Sequence, residues 1–464
     1  MLGEDVLFLP VAELSRRVRA RQISPVELTE SYLQRSRAMG PKLNAYVTIT
    51  EELALQQARA AEREIAAGKY RGPLHGIPYA AKDLLAVKGY PTTWGARPYA
   101  DQRFDSDATV IRKLAAAGAV LIGKAAMIEL AGGMGYRFAS ASLTGATKNP
   151  WNTEYWTCGS SSGSGAIAAA GLAGFAIGTE TWGSIICPSG FCGLSGLRPT
   201  FGRVSRAGAM ALAYSLDKIG PMCRSAEDCD TVLKTISGHD QADAGSLPEP
   251  QAKYSGSTVT GALRLGWLTN AWKELAPEVS GPVAAARKVL ESATSVKEVS
   301  LPEGPWEAAA GTIVSVEGAT AFRSLIQSGK VAELSDPAGR IGGYINEEIS
   351  ASDFILAQRI RGILCKRMDE LFNQADVLVT ASQPVTASRI DANLDLTLSF
   401  SDPLGGIGNA CGLPAITVPC GFANNGLPVG IQFVGRALDD AKVLQAARLF
   451  QSRTEWHTKH PKLS

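Results

Sequence analysis

The segment CGSSSGSGAIAAAGLAGFAIGTETWGSIICPSGFCGLSGLRPTFGRVSRAG, residues 158–208, decides how this chain is read. It opens with Ser160, Ser161 and Ser162 between glycines, passes into an Ala/Gly-rich apolar stretch and ends in closely spaced turns. Glycine lets the backbone take positive φ and approach other groups closely. Consecutive hydroxyls ahead of a helix start can bring N–H groups and Oγ atoms to one point. The longest apolar run, Gly165 to Gly178, has 14 residues. A membrane span needs about 18–20, so this run reads as part of a soluble chain.

The same texture continues on both sides. Apolar runs GIPYAAKDLL (76–85), AVLIGKAAM (119–127) and AITVPCGF (415–422) alternate with helical stretches such as ATVIRKLAAAG (108–118). Buried, non-alternating strands between helices predict an α/β fold with a largely parallel or mixed sheet. Upstream, VAELSRRVRA, SPVELTESYLQRSRAM and the Ala/Glu/Arg stretch 51–67 follow a helical period. Ser24, Pro25 and Glu27 fit an N-cap, a first-turn proline and a capping-box acid, and Gly68 ends the third helix. Residues 240–380 are less patterned. With no repeat and no Pro/Ser-rich linker, 1–464 reads as one domain. Residues 10–70 are its N-terminal helices, 72–235 and 400–455 its core, and 240–380 a peripheral lobe lining the substrate pocket.

Composition narrows the function. Net charge is +2, from 46 Lys+Arg against 44 Asp+Glu, and 19% of the 464 residues are charged. No stretch collects the basic residues, so neither a nucleic-acid nor a membrane partner is expected. The start, MLGEDVLFLPVAEL, is acidic where an export signal is basic, which predicts a cytoplasmic protein. Eight cysteines without a CxxC pair are expected to be reduced, mostly buried thiols. Of four histidines, His457 and His460 sit in a polar tail without other ligands, so no metal site is expected. Gly118 to Lys124 imitates a phosphate-binding loop, but Ala125 replaces the magnesium-binding hydroxyl and four apolar residues fill the loop. It reads as a buried strand.

Three motifs carry chemistry. Lys82 follows an apolar stretch, and a buried lysine must be paired, for instance with Asp83, or lose its proton and become a base. The serine run either caps a helix or forms a G-x-S-x-G elbow centred on Ser161, with His239 as its base. Ser184 follows Gly183 in a turn whose N–H groups can serve a nucleophile and its oxyanion together.

Taken in order, Gly-Ile-Pro with Lys82-Asp83, the Gly-Ser-Ser-Ser-Gly-Ser run, and Gly-Ser-Ile leading to Gly-Leu-Arg-Pro-Thr closely resemble the amidase signature family. LIGKAAMIELAGG (121–133), SLDKIGPMCRSAEDC (215–229) and GLPAITVPCGFANNGLPVGIQFVGR (412–436) extend the resemblance over roughly residues 10–455. It implies a mixed, twisted central sheet sandwiched between helices and a serine hydrolase of amide-type C–N bonds that needs no metal and no cofactor. It implies Ser184 as nucleophile, Ser160 as a bridging serine in a cis peptide, and Lys82 as base. It also implies an oxyanion site from Thr181, Trp182 and Gly183 with Ser184, and acyl-side room at Gly132 and Gly133. The substrate expected is a small-molecule amide or carbamate, with aryl amides, urethanes and esters in view. The oligomeric state stays open. Two alternatives stand beside this reading: a Ser–His–Asp esterase of α/β-hydrolase type, and the amidase subunit of a tRNA-dependent amidotransferase. The chain departs from the family where a glycine becomes Trp182, an arginine Ile186 and a glycine Cys158. The first two point to an apolar or aromatic substrate.

Overall fold

A computed structural model describes residues 2–256 and 261–463. Helices cover Val11–Arg19, Pro25–Leu43 and Glu51–Ala66. Ser24 caps the second, accepting from the N–H groups of Val26 and Glu27 at 3.0 and 3.2 Å. Its hydroxyl also donates to Glu62 of the third helix, so one side chain fastens both. Between these helices the chain forms a short strand, β1 (Tyr46–Ile49), that the helical period does not reveal.

Twelve further strands follow: β2 (Pro78–Lys82), β3 (Val120–Ala125), β4 (Lys148–Asn149), β5 (Asn152–Trp156), β6 (Phe175–Glu180), β7 (Ser195–Arg198), β8 (Lys218–Cys223), β9 (Arg264–Leu268), β10 (Ser295–Val299), β11 (Val377–Ala381), β12 (Ala415–Phe422) and β13 (Pro428–Gly435). β4 and β5 pair only with each other. The other eleven form one sheet in the order β1-β3-β2-β6-β8-β7-β12-β13-β11-β9-β10. β2 is parallel to β3 and β6, and β9 is parallel to β10 and β11, whereas the centre is antiparallel. The sheet is therefore mixed, as expected. Every residue of β2, β3 and β6 is buried, which is why these runs lack a polar–apolar alternation. The phosphate-loop imitation is β3 itself. The strands of 240–380 extend this sheet at one edge.

Register sorts two lysines. Lys82 pairs with Ala125 and Ala81 with Lys124 across β2 and β3. Paired residues share a face and neighbours along a strand alternate, so the two ammonium stems leave opposite faces of the sheet. Among the described residues no helix is long and apolar enough to cross a membrane.

Candidate active site

Lys82 is the last residue of β2, and β6 runs parallel beside it to Glu180. Carboxyl ends of parallel strands are where α/β sheets gather ligands, because the loops above them converge. Here the loop before the helix Ser162–Ala169 and the loop 181–185, before the helix Ile186–Phe191, meet over those ends. Ser161 sews the first loop to β6: its Oγ donates to the Thr179 carbonyl at 3.1 Å and accepts the Thr179 N–H at 3.3 Å. Ser164 Oγ donates to the Ile177 carbonyl at 3.0 Å. The peptide between Gly159 and Ser160 is cis.

Lys82 is fully buried. Its Nζ donates to Ser160 Oγ at 2.7 Å and to Thr179 Oγ1 at 2.9 Å, with the Thr179 carbonyl at 3.4 Å. Burial lowers its pKa to about 7, against a weaker opposing pull from Asp217 and Glu180. Asp83 does not pair with it. That carboxylate meets Lys124 Nζ at 2.8 Å and accepts the Thr93 N–H at 3.0 Å. Thus Lys82 faces hydroxyls, not a carboxylate.

Ser184 stands after Gly183, whose φ of 74° a side chain would resist. It is 8% exposed. Among the described residues its hydroxyl makes no protein hydrogen bond, and the N–H groups of Thr181, Trp182, Gly183 and Ser184 have no protein acceptor. The turn is shaped from below. Glu180 accepts from the N–H groups of Ile185 and Ile186 at 2.8 and 3.0 Å, from Arg198 at 2.7 Å and from Asn409 at 3.1 Å. Burial pushes Glu180 up, but Arg198 and the two amides carry its pKa below the usual range. From the side, Thr181 Oγ1 donates to Asp217 at 2.5 Å, and Asp217 also accepts from the Leu212 and Ala213 amides. Sequence reasoning missed both acids. The signals were Glu180 at the head of the serine turn and the buried SLDKIGP run holding Asp217. A cavity of about 260 Å³ opens against Thr179, Thr181, Asp217, Leu84 and Ala131.

Several expectations change. Gly132 and Gly133 do not leave free space. A Cβ on Gly133 would meet Leu212 at 2.2 Å, and one on Gly132 would meet Tyr136 at 2.7 Å. His239 is exposed, with Nδ1 3.0 Å from the Leu247 carbonyl, while Ser161 is occupied with Thr179, so the elbow has no base there. His75 lies buried 3.2 Å from Glu64. The cysteines are not all reduced: Cys158 and Cys187 form a disulfide with Cα atoms 6.0 Å apart, within the range such bridges require. It joins the residue two before Ser160 to the residue three after Ser184. Cys158 itself takes φ 66°, the conformation for which a glycine is the easy choice.

Known proteins share this architecture. The amidase family model matches residues 27–444. A glutamyl-tRNA(Gln) amidotransferase subunit of Chloroflexus aggregans is 36% identical over 99% of each chain. The solved peptide amidase of Stenotrophomonas maltophilia superposes with a TM-score of 0.85 at 30% identity, over 96% of this chain and 97% of its own. The solved glutamyl-tRNA(Gln) amidotransferase subunit of Thermotoga maritima gives 0.82 at 27% identity, over 99% and 98%. These relatives correct the partner expectation of a small-molecule amide or carbamate without nucleic acid. Chains matched end to end are named as subunits of an enzyme of glutamyl-tRNA(Gln), so an even charge balance does not exclude such chemistry. One member of an assembly need not carry the basic surface that holds an RNA. A family model spanning most of the sequence, end-to-end relatives and the mixed sheet together show that this chain belongs to the amidase family, the amidase signature enzymes.

Proposed function

We propose that the chain breaks an amide C–N bond through an acyl-enzyme on Ser184. One observation carries the reading: a fully buried lysine with a pKa near 7 donates to a serine, not to a carboxylate. Neutral Lys82 takes the Ser160 proton as Ser160 takes that of Ser184. Ser184 Oγ attacks the carbonyl carbon. The free N–H groups of Thr181, Trp182, Gly183 and Ser184 receive the charge that develops on the carbonyl oxygen. The relay then returns the proton to the leaving nitrogen, the C–N bond breaks, and water hydrolyses the acyl-serine. Glu180 and Asp217 hold the serine turn in shape. The reaction belongs in the cytoplasm in this reading.

Two observations bear on the substrate. The Trp182 indole walls the serine turn, and Ile186, where the family pattern has an arginine, brings no cation to it, which favours an amide flanked by an apolar or aryl group. The end-to-end identity with amidotransferase subunits favours a second reading, the glutamine carboxamide as nitrogen source within a tRNA-dependent assembly. A panel of glutamine, a peptide amide, an acyl 4-nitroanilide, an aryl carbamate and an ester separates them, with ammonia or aniline release as readout. Turnover of the anilide or carbamate without glutamine supports the first. Ammonia from glutamine alone supports the second. No turnover of any member, together with failure of Ser184 to react with a fluorophosphonate, overturns both.

A further inference from the structure

Trp182 has a feature that the proposed chemistry does not require. Its indole leaves the serine turn and lies across the first turn of the helix Pro403–Ala410. A Cβ on Gly405 would come within 2.3 Å of the indole Nε1, and one on Gly406 within 3.1 Å of its six-membered ring. Two successive glycines thus form the bed on which the ring rests, and any side chain there would displace it. The ring nitrogen donates to Asp402 Oδ2 at 3.2 Å. Asp402 caps the same helix, its Oδ1 accepting the Gly405 N–H at 2.9 Å, and its own N–H donates to Glu307 at 2.7 Å. The Asp402 carboxylate also lies against the serine turn, 3.7 Å from where a Cβ of Gly183 would stand. A carboxylate therefore sits beside the turn that holds Ser184, and an indole N–H occupies it.

We propose that Trp182 is a specificity-determining residue that masks Asp402, so that the acyl side of the site accepts neutral, flat or apolar groups and rejects a substrate ammonium. The inference rests on the reading of Ser184 as nucleophile. Three features support it. Trp182 is only half-buried, so part of its ring reaches solvent beside the serine turn while its N–H is committed to Asp402. The indole N–H is a donor only, so it complements the ionised carboxylate without adding charge. Burial, with Glu180 and Glu307 nearby, raises the Asp402 pKa to about 6 even with its two donors in place. Stripped of the indole, the carboxylate would face the cleft and attract a cation.

The test uses a pair of substrates differing in one group, phenylalanine 4-nitroanilide and 3-phenylpropanoyl 4-nitroanilide. The ratio of kcat/KM, or of protection of Ser184 from a fluorophosphonate where turnover is slow, is measured in wild type, Trp182→Phe, Trp182→Ala and Trp182→Ala/Asp402→Asn. Wild type prefers the neutral member. Trp182→Ala shifts the ratio toward the ammonium-bearing member by ~10-fold or more, the scale of a charge pair formed at a binding site. Trp182→Phe, which keeps the bulk but loses the N–H, shifts it less, and the double variant returns it to the wild-type value. A ratio unchanged within about twofold in Trp182→Ala, or a shift that survives in the double variant, overturns the proposal. Normal fluorophosphonate labelling of Ser184 with an unchanged ratio defeats the masking role alone. Loss of labelling in wild type defeats the nucleophile assignment instead.

Discussion

Two buried lysines grow from neighbouring strands, and their surroundings differ in one respect. Lys124 leaves one face of the sheet and finds Asp83 at 2.8 Å, with Thr92 Oγ1 and the Pro91 carbonyl at 2.9 and 3.0 Å. Lys82 leaves the other face and finds Ser160 and Thr179. Burial lowers the pKa of both, but Asp83 pulls Lys124 back, whereas the acids nearest Lys82 are already engaged with Thr181 and Arg198. A buried ammonium beside a carboxylate is a brace. One given only hydroxyls gives up its proton near neutrality and becomes a base. The one-residue alternation of β2 and β3 assigns the two roles.

The heaviest losses are expected at the side chains of Lys82 and Ser184. Lys82→Ala and Ser184→Ala each lose ~10³-fold or more in kcat/KM while the proteins stay folded; steady-state kinetics on the best panel substrate checks this. The opposite exchange comes next. Lys124→Met strands a buried carboxylate and is expected to cost about 3–5 kcal/mol in denaturant unfolding. Lys82→Met removes a buried amine that no carboxylate compensates and raises the melting temperature. Activity that survives in Lys82→Met, or a melting temperature that falls there as far as in Lys124→Met, would erase the distinction.

Loss of the disulfide and changes of pH act more weakly. Cys158→Ser removes the bridge between the two serine loops and is expected to cost about 2–4 kcal/mol, read by melting in the presence and absence of a dithiol. Wild type should melt at the lower value once reduced, and Cys158→Ser should ignore the reductant. The pH dependence is subtler. The Lys82 pKa is about 7 in the folded chain and roughly 10.4 when unfolded. Between those values the unfolded state holds the extra proton, so stability rises with pH. The penalty is complete below pH 7 and gone above the unfolded value. Lys82→Met should flatten that slope, as measured by urea unfolding at several pH values. Activity should rise through pH 7 for the same reason, because only the neutral amine accepts a proton.

Much of this was legible in the sequence. The glycine-flanked serines, the apolar run ending at Lys82 and the turn at Gly183 are local patterns, and each dictates a backbone feature wherever it folds. Non-alternating apolar runs marked β2, β3 and β6, because both faces of those strands are covered. What escaped depends on distant partners. Nothing near Asp83 in the chain indicates that it serves Lys124 and leaves Lys82 alone. The disulfide joins cysteines 29 residues apart, and the usual rule about compartments pointed the other way. The room anticipated at Gly132 and Gly133 is filled by Leu212, Phe322 and Tyr136, two of them far along the chain. Charge balance did not anticipate relatives named for glutamyl-tRNA(Gln), because net charge alone does not report which molecules a chain meets.

Lys82 must be neutral where it acts as a base. The most direct test of that neutrality is an NMR titration of the lysine side-chain nitrogens, run on wild type and on Lys82→Met. A resonance with a midpoint near 7 is expected that is absent from Lys82→Met, while Thr179→Val, which removes a hydroxyl partner of the amine, moves that midpoint. If every lysine in wild type titrates above about 9, as free lysines do, then Lys82 is a cation at neutral pH and cannot be the base.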